Sequence, residues 1–414
     1  MNFDSYPLKP ALEASGRFET PFYLYNLDIL EDNINTLKQA TEGFKLRYAV
    51  KTNPNPMILS WMKNKVESVD VSSSGEITLA RKQGWQGRDI EFTGPAKTVK
   101  DLQLALQEQI HSIVIEDLSE AELLNDIARQ QGITARILIR IAPALAEENF
   151  GVRLAGRPTQ FGIDEDKLPQ TLSALQQLTH LHLAGFHIYS GSQCLNDESL
   201  ANHFANMWII FQRAMQLWSQ PIEELVFGAG MGIPYHDGDN SLKLTHLPAI
   251  AQQIRQDIAS RNLSIECFIE VGRFLIGTAG LFVTRVVRVK ESKNTKIAIC
   301  DGGMNHNLGA CGHLGGISHR HYSMMNLTGS DKNMEKYRIV GPLCTAIDTL
   351  AHRIEMPEIS SGDLLAIGCA GSYGPTASPL FFISHTLPTE ILYSQKETES
   401  GEFIRADWLT PPQP

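Results

Sequence analysis

Eight short apolar runs, most of them separated by helix-like segments, constrain the fold of this chain more than any other feature. They are residues 46–50, 66–71, 90–93, 112–115, 135–141, 183–188, 225–227 and 266–269. Strands that alternate with helices over roughly 225 residues predict an α/β fold, the (β/α)₈ TIM barrel. An open doubly wound sheet is the alternative, but its glycine fingerprint does not follow the first strand.

Helix signals lie between these runs. Residues 98–109 and 248–262 have helical spacing, and a capping box at 119–122 opens a helix that Gly132 would end. After Arg273 the chain becomes β-rich, with predicted strands at 281–289, 296–300, 337–340, 364–368, 380–383 and 390–393. A chain of 414 residues is also long for one core. We therefore predict a barrel domain over 27–275 and an all-β domain formed by 1–26 and 276–414, with the strand-like residues 22–25 joining its sheet.

The formal charge of −10 argues against nucleic acid or an anionic membrane as a partner. No apolar stretch is long enough to span a bilayer, and the first residues have neither a basic start nor an apolar signal core. A cytoplasmic location is the resulting expectation. The six cysteines show no CxxC spacing and are interpreted as reduced thiols, mostly in the core.

Active sites of (β/α)₈ barrels lie at the carboxyl ends of the strands. In this chain those ends carry an amine, several carboxylates, an imidazole and a glycine turn: Lys51, Asp70, Glu116, Arg140, His187 with Ser190, Gly228, Ala229 and Gly230, and Glu270 with Arg273. Lys51 ends a buried run, where poor solvation should lower its pKa and favour the nucleophilic amine that a Schiff base needs. Taken alone, Lys51 could be a surface residue, the glycine turn could serve packing, and His187 could be a core histidine.

Considered together, these groups fit pyridoxal 5′-phosphate. Lys51 would react with the aldehyde, and His187 would stack on the ring. A buried carboxylate needs a partner, which for Glu270 would be the protonated ring nitrogen. The turn at Gly228, Ala229 and Gly230 would present N–H groups to the phosphate.

Seven motifs in order then resemble the fold type III pyridoxal-phosphate decarboxylases, the group of ornithine, arginine and diaminopimelate decarboxylases. The motifs lie at 48–53, 70–76, 187–191, 228–230, 270–273, 341–344 and 371–374. The resemblance implies a homodimer with two shared sites, in which Cys344 of the partner subunit protonates the carbanion. It further implies cofactor contacts from Asp70, Arg140, Gly272 and, at the phosphate, Ser190, Gly230, Arg273 and Tyr373. No metal is predicted.

Glu270 also bears on the reaction. Racemases of this fold place an arginine at the ring nitrogen, whereas a carboxylate there favours loss of CO₂. A non-catalytic pyridoxal-phosphate carrier remains an alternative, although such carriers usually consist of the barrel alone.

Departures from the family concern the substrate. Thr345 and the stretch 306–310 replace the groups that bind a distal amino acid end in diaminopimelate decarboxylases. Gln160, Tyr189 and Val271 replace a usual lysine, glycine and proline. The segments 156–162, 301–306 and 341–345 resemble a subfamily that acts on modified amino acids, the siderophore citryl-diaminopropionate decarboxylases and the butirosin glutamyl-carrier-protein decarboxylase. The resemblance implies a conjugated or carrier-tethered L-amino acid substrate, with diaminopimelate or another free basic amino acid as the alternative.

Four histidines, His306, His313, His319 and His321, crowd a glycine-rich segment. Their spacing matches no standard zinc pattern, so a mobile substrate loop near the dimer interface is the preferred interpretation.

Overall fold

The structure, a computed structural model, describes residues 8–145, 149–312, 320–329, 333–396 and 401–409. Its strands are, in chain order, β1 (Phe22–Asn26), β2 (Lys45–Ala49), β3 (Ser68–Val71), β4 (Ile90–Phe92), β5 (Ser112–Ile115), β6 (Ala135–Ala142), β7 (Phe150–Arg153), β8 (Ile163–Asp164), β9 (Leu181–Ile188), β10 (Gly191–Cys194), β11 (Glu224–Gly228), β12 (Glu266–Val271), β13 (Gly280–Ser292), β14 (Thr295–Cys300), β15 (Met324–Asn326), β16 (Met334–Val340), β17 (Thr349–Pro357), β18 (Leu364–Ile367), β19 (Thr389–Ser394) and β20 (Glu402–Arg405). Its α-helices are α1 (Leu8–Ser15), α2 (Leu27–Ala40), α3 (Pro56–Met62), α4 (Ser74–Lys82), α5 (Val99–Gln107), α6 (Leu118–Gln131), α7 (Leu168–Leu175), α8 (Asp197–Leu217), α9 (Leu247–Ser260) and α10 (Arg273–Ile276).

Parallel strands close into a barrel in the order β5, β4, β3, β2, β12, β11, β9 and β6, with β6 pairing again to β5. These strands coincide with the eight predicted apolar runs, which confirms the (β/α)₈ barrel. The runs are nearly continuous because a parallel strand between a packed interior and a layer of helices is buried on both faces. Val114, Leu138, Ala184, Val226 and Phe268 form one of the clusters that fill the barrel.

The predicted helices are present, with shifts of one or two residues at their ends. Helix α6 begins at Leu118, and its N-cap is Asp117, whose carboxylate accepts a hydrogen bond from the Glu120 N–H at 3.0 Å. The capping box predicted at 119–122 is therefore wrong, because the Ser119 hydroxyl donates to Asp117 and does not cap the helix itself. Gly132 ends the helix with φ +68°, as predicted.

A second, mixed sheet joins nine strands in the described part of the chain. Its main path is β17, β16, β14, β13, β1, β19 and β20, and β18 pairs with β13 and β15. Strand β1 runs antiparallel to β13 and parallel to β19, so the amino-terminal strand joins the carboxyl-terminal sheet as expected. The strand predicted at 380–383 is wrong, because residues 380–381 form a turn that leads into the 3-10 turn Phe382–Ser384, where Ile383 has φ +60°.

The contacts divide the chain into two compact units. The barrel unit consists of Ile34–Gly232 and Leu242–Gly272, and the sheet unit of Met1–Asn33, Ile233–Ser241 and Arg273–Pro414. This division assigns residues 27–33, 233–241 and 273–275 to the sheet unit, whereas the sequence assigned them to the barrel. The domain limits drawn from the sequence remain a prediction.

Within the described residues, no helix combines the length and the apolarity needed to cross a membrane.

Candidate active site

Lys51 follows β2 in a short 3-10 turn, Val50–Thr52. Its Nζ lies 3.0 Å from Glu270 Oε1 and 3.5 Å from Asp70 Oδ2. The lysine side chain is 38% exposed, whereas both carboxylates are buried. The sequence suggested a poorly solvated neutral amine. The structure does not give the lysine such surroundings, because its side chain is partly exposed and lies beside the ionised Glu270, which favours the ammonium.

Glu270, on β12, contacts His187, which lies near the end of β9. His187 Nε2 is 2.8 Å from Glu270 Oε2, and both side chains are almost fully buried. Burial alone would raise the pKa of Glu270, but the Lys51 charge and the hydrogen bond from His187 outweigh it and hold that pKa far below the usual range. The other imidazole nitrogen, Nδ1, is buried and has no hydrogen-bond partner among the described residues.

Asp70 behaves in the opposite way to Glu270. Its side chain is fully buried and accepts a 2.6 Å hydrogen bond from the Thr93 hydroxyl. Burial and the nearby Glu270 charge raise the pKa of Asp70 well above its ordinary value, against the effect of Lys51. The surroundings therefore move the pKa values of two neighbouring carboxylates in opposite directions, a separation typical of acid–base sites.

The glycine turn follows β11, and neither of its two glycines has room for a side chain. A Cβ on Gly228 would lie 2.4 Å from the Tyr189 ring, and one on Gly230, where φ is +63°, would lie 2.5 Å from the Phe150 ring. The Ala229 N–H donates to the Glu270 carbonyl at 2.9 Å. That N–H is thus already engaged within the barrel, and binding of a phosphate by the turn remains a prediction.

Ser190 lies beside this turn and is held by a histidine that the sequence did not single out. His203, on the buried face of α8, lies 3.4 Å through Nδ1 from Ser190 Oγ and 3.2 Å through Nε2 from the Gly228 carbonyl. The serine hydroxyl and the glycine turn are therefore tied to the same imidazole.

Arg140, predicted to bind the cofactor, forms a buried ion pair with Glu116 at 3.0 Å. The same carboxylate accepts from the N–H groups of Gly94 and Gly162, so it joins three loops at the strand ends. Arg140 also donates to the Tyr189 carbonyl at 3.4 Å. These contacts give Arg140 and Glu116 an anchoring position, and a contact of Arg140 with the cofactor remains a prediction.

The sheet unit carries the other predicted residues. Arg273 donates to the Tyr235 hydroxyl, and its guanidinium carbon lies 5.5 Å from the centre of the Tyr235 ring and 4.8 Å from that of Tyr373. Tyr373 has φ +54°. Cys344, in the segment after β16, is exposed. The sequence did not single out Tyr235, because no local pattern reveals that its ring and hydroxyl contact Arg273.

Gly272 fixes the turn that carries the lysine. A Cβ at this position would lie 2.3 Å from Thr52 Cγ2, and Thr52 directly follows Lys51. We expect Gly272→Ala to destabilise the protein by about 1–3 kcal/mol, because the turn must move to accept the methyl group. Thermal unfolding of the purified protein measures this loss.

Gly75→Ala is the matched control for Gly272→Ala. Gly75 lies in α4, and the nearest atom to a methyl group added there is Ser73 Oγ at 3.6 Å. Alanine is the better helix former, so stability should be unchanged or slightly higher. Equal losses in both variants would contradict the steric role of Gly272.

The histidine-rich segment is only partly described. His313 and His319 lie outside the described residues, and His306 is buried with Nε2 2.8 Å from the Thr386 carbonyl. In the part of the chain that the structure covers, no group of three or more potential ligands is arranged to hold a metal ion.

Known proteins resemble this chain in sequence. The family model for the pyridoxal-binding domain of pyridoxal-dependent decarboxylases matches residues 27–277. The chain is 32% identical over 396 residues to L-glutamyl-(BtrI acyl-carrier protein) decarboxylase of Niallia circulans, covering 94% of this chain and 91% of that protein. It is 31% identical over 398 residues to 2-((L-alanin-3-ylcarbamoyl)methyl)-2-hydroxybutanedioate decarboxylase of Staphylococcus aureus, covering 91% and 95%.

A solved structure shares the fold over almost the whole chain. The diaminopimelate decarboxylase of Helicobacter pylori, complexed with L-lysine, superposes with a TM-score of 0.82 at 26% identity, covering 96% of this chain and 97% of that one.

Proposed function

We propose, because the chain belongs to the family of pyridoxal-dependent decarboxylases, that it removes the α-carboxylate of an L-amino acid unit that is conjugated or tethered to a carrier protein. The chain is an enzyme of this family, and its cofactor is pyridoxal 5′-phosphate. One observation supports the proposed substrate class. The two relatives at 31–32% identity act, by their names, on a glutamyl unit on a carrier protein and on an alanyl unit joined through a carbamoyl group.

The residues of the barrel unit fit this cofactor. His187 presents a buried ring whose Nδ1 has no partner among the described residues, while Nε2 is fixed by Glu270. A buried, ionised Glu270 suits a protonated ring nitrogen, and the accessible amine of Lys51 suits an aldehyde. The turn at Gly230, whose φ of +63° lies in the left-handed region, and the neighbouring Ser190 suit a phosphate.

The role of each residue follows from its position. The bound cofactor supplies the electron sink for the bond to the departing carboxylate. Lys51 would hold the cofactor and give way to the amine of the substrate. Glu270 would keep a proton on the ring nitrogen, because its own pKa is held far below the usual range. Cys344, an exposed residue, would return a proton to the α-carbon.

A free basic amino acid is the second candidate substrate. Diaminopimelate decarboxylases of several bacteria are 27–30% identical to this chain, and the one from Bacteroides thetaiotaomicron matches over 366 residues. Against this candidate stands Thr345, which follows Cys344 and carries no charge to pair with a distal amine or carboxylate.

The substrate class is tested by the release of CO₂ from matched pairs of substrates. Each pair compares a free amino acid with its conjugate: L-glutamate with L-glutamyl carrier protein, and L-2,3-diaminopropionate with its amide-linked acyl derivative. We expect kcat/KM to be on the order of 100-fold higher for at least one conjugate than for its free partner. Efficient turnover of free diaminopimelate, ornithine or lysine would contradict the proposal, and inversion of the substrate without CO₂ would indicate a racemase.

The shared active site of a homodimer gives a second prediction. If Cys344 of one subunit serves Lys51 and Glu270 of the other, mixing Glu270→Gln with Cys344→Ala protein should restore activity. Random exchange makes half of the dimers mixed, each with one intact site, so about a quarter of the wild-type activity is expected. Activity that stays at the level of the separate variants after exchange, verified by differently tagged subunits, would place Cys344 outside a shared site.

A further inference from the structure

Tyr189 stands beside the lysine without a role in the chemistry described so far. Lys51 Nζ lies 5.5 Å from the centre of the Tyr189 ring, within the range in which an aromatic face attracts an ammonium. The same amine contacts the carboxylates of Glu270 and Asp70. Two carboxylates and an aromatic face of the barrel unit therefore surround the ammonium.

The ring is held in place by the backbone around it. Tyr189 directly follows β9 and packs on Gly228, where a Cβ would approach the ring carbon Cδ2 to 2.4 Å. Its own carbonyl accepts a hydrogen bond from Arg140, which is fixed in turn by the buried Glu116. A ring supported on one side by a glycine and anchored through its main chain keeps a defined position.

We propose that Tyr189 is a positioning residue for Lys51. The face of the Tyr189 ring, together with Asp70 and Glu270, holds the ammonium at the end of β2. A flexible four-carbon side chain that is 38% exposed would otherwise sample many rotamers, and two carboxylates alone fix only the side that they occupy. The ring thereby defines where the amine waits before it binds the cofactor and where it returns after the substrate has displaced it. This role of the ring in the reaction rests on the proposed function, whereas the contact between the ring and the amine does not.

The experiment measures the amine directly, in the full-length chain freed of cofactor. Trace labelling with acetic anhydride across a pH series, followed by mass spectrometry of the Lys51 peptide, gives the labelling midpoint. An aromatic face stabilises the charged form, so its loss should lower the midpoint. In Tyr189→Leu we expect a decrease of about half a pH unit, or about threefold more reactive amine below the midpoint. Tyr189→Phe keeps the ring and should keep the wild-type midpoint.

Controls separate the ring face from other effects. Tyr189→Met, also without a ring, repeats the test if the leucine variant does not fold. Lys65 lies 4.9 Å from the centre of the Trp61 ring, so Trp61→Leu should lower the midpoint of Lys65 and leave that of Lys51 unchanged. An unchanged Lys51 midpoint in both ring-free variants would overturn the proposal. A change in the labelling rate without a change in the midpoint would also overturn it, because it indicates that the ring only shields the amine. An equal shift of the midpoint in Tyr189→Phe would overturn it as well, because it assigns the effect to the hydroxyl. No substrate or cofactor takes part, so a wrong function would not alter the result.

Discussion

A Glu270→Gln variant should turn over its substrate about 10²–10³ times more slowly than the wild type, mainly through kcat. Lys51 and His187 hold the pKa of Glu270 far below its usual range despite complete burial, so the native side chain is an anion at neutral pH. Glutamine has nearly the same shape but no charge, and it cannot keep a proton on the ring nitrogen. Steady-state rates of CO₂ release measure the effect.

Glu76→Gln is the control for this substitution. Glu76 lies in the first turn of α4, near enough to Lys51 to interact with its charge, and its carboxylate accepts a 2.7 Å hydrogen bond from the Ser72 N–H. A glutamine oxygen can accept the same bond, so kcat should change little. The visible absorbance of bound cofactor should persist in both variants. An equal loss of kcat in Glu270→Gln and Glu76→Gln would contradict the prediction, because it would mean that the loss of either carboxylate slows the reaction to the same extent.

Arg47→Ala should produce the largest loss of stability, about 3–5 kcal/mol. Arg47 lies inside the barrel, and its guanidinium contacts Glu91 and, at 2.9 Å, Glu224, while all three side chains are at most 1% exposed. Its Nε also donates to Ser68, and the group stacks 4.0 Å from the centre of the Phe268 ring. Removing the cation leaves two buried carboxylates facing each other. The midpoint of urea unfolding measures the cost.

The two carboxylates do not depend on Arg47 equally, which supplies an internal test. Glu224 keeps Arg136 at 2.9 Å and His111 at 2.6 Å, whereas Glu91 keeps the uncharged hydroxyl of Ser112. Adding Glu91→Gln to Arg47→Ala should therefore recover part of the lost stability. Arg136→Ala, at the partly exposed end of the network, should cost about 1 kcal/mol or less. Similar costs for Arg47→Ala and Arg136→Ala would mean that burial does not decide the energetics.

The sequence predicted the barrel well because buried parallel strands are short apolar runs, and each run corresponds to one strand. It predicted the sheet less well for the opposite reason. Strand β17 was missed because it alternates buried residues with charged ones such as Arg353 and Glu355, as an edge strand does. The apolar run at 380–383 was mistaken for a strand, although Phe381 and Phe382 are about half exposed in a turn.

The site was also predicted in part: the sequence indicated which residues meet, but not how their side chains interact. Lys51, Asp70, His187 and Glu270 were predicted at one edge because parallel strands end together, and the structure places them in contact there. The opposite pKa shifts of Asp70 and Glu270 could not be predicted, since two carboxylates at equivalent strand ends differ only through their neighbours. The roles of Tyr189 and His203 could not be predicted either. The contact of Tyr189 with Lys51 and that of His203 with Ser190 depend on side-chain directions, which the spacing of residues does not reveal.

The contact between Gly272 and Thr52 also restricts the order in which mutations can accumulate. All three atoms nearest to a methyl at Gly272 belong to the Thr52 side chain. A larger residue at 272 is therefore accessible to evolution or to a directed-evolution library only after position 52 has become smaller, whereas the reverse order passes through a damaged intermediate. Libraries that randomise the lysine turn should vary both positions at once.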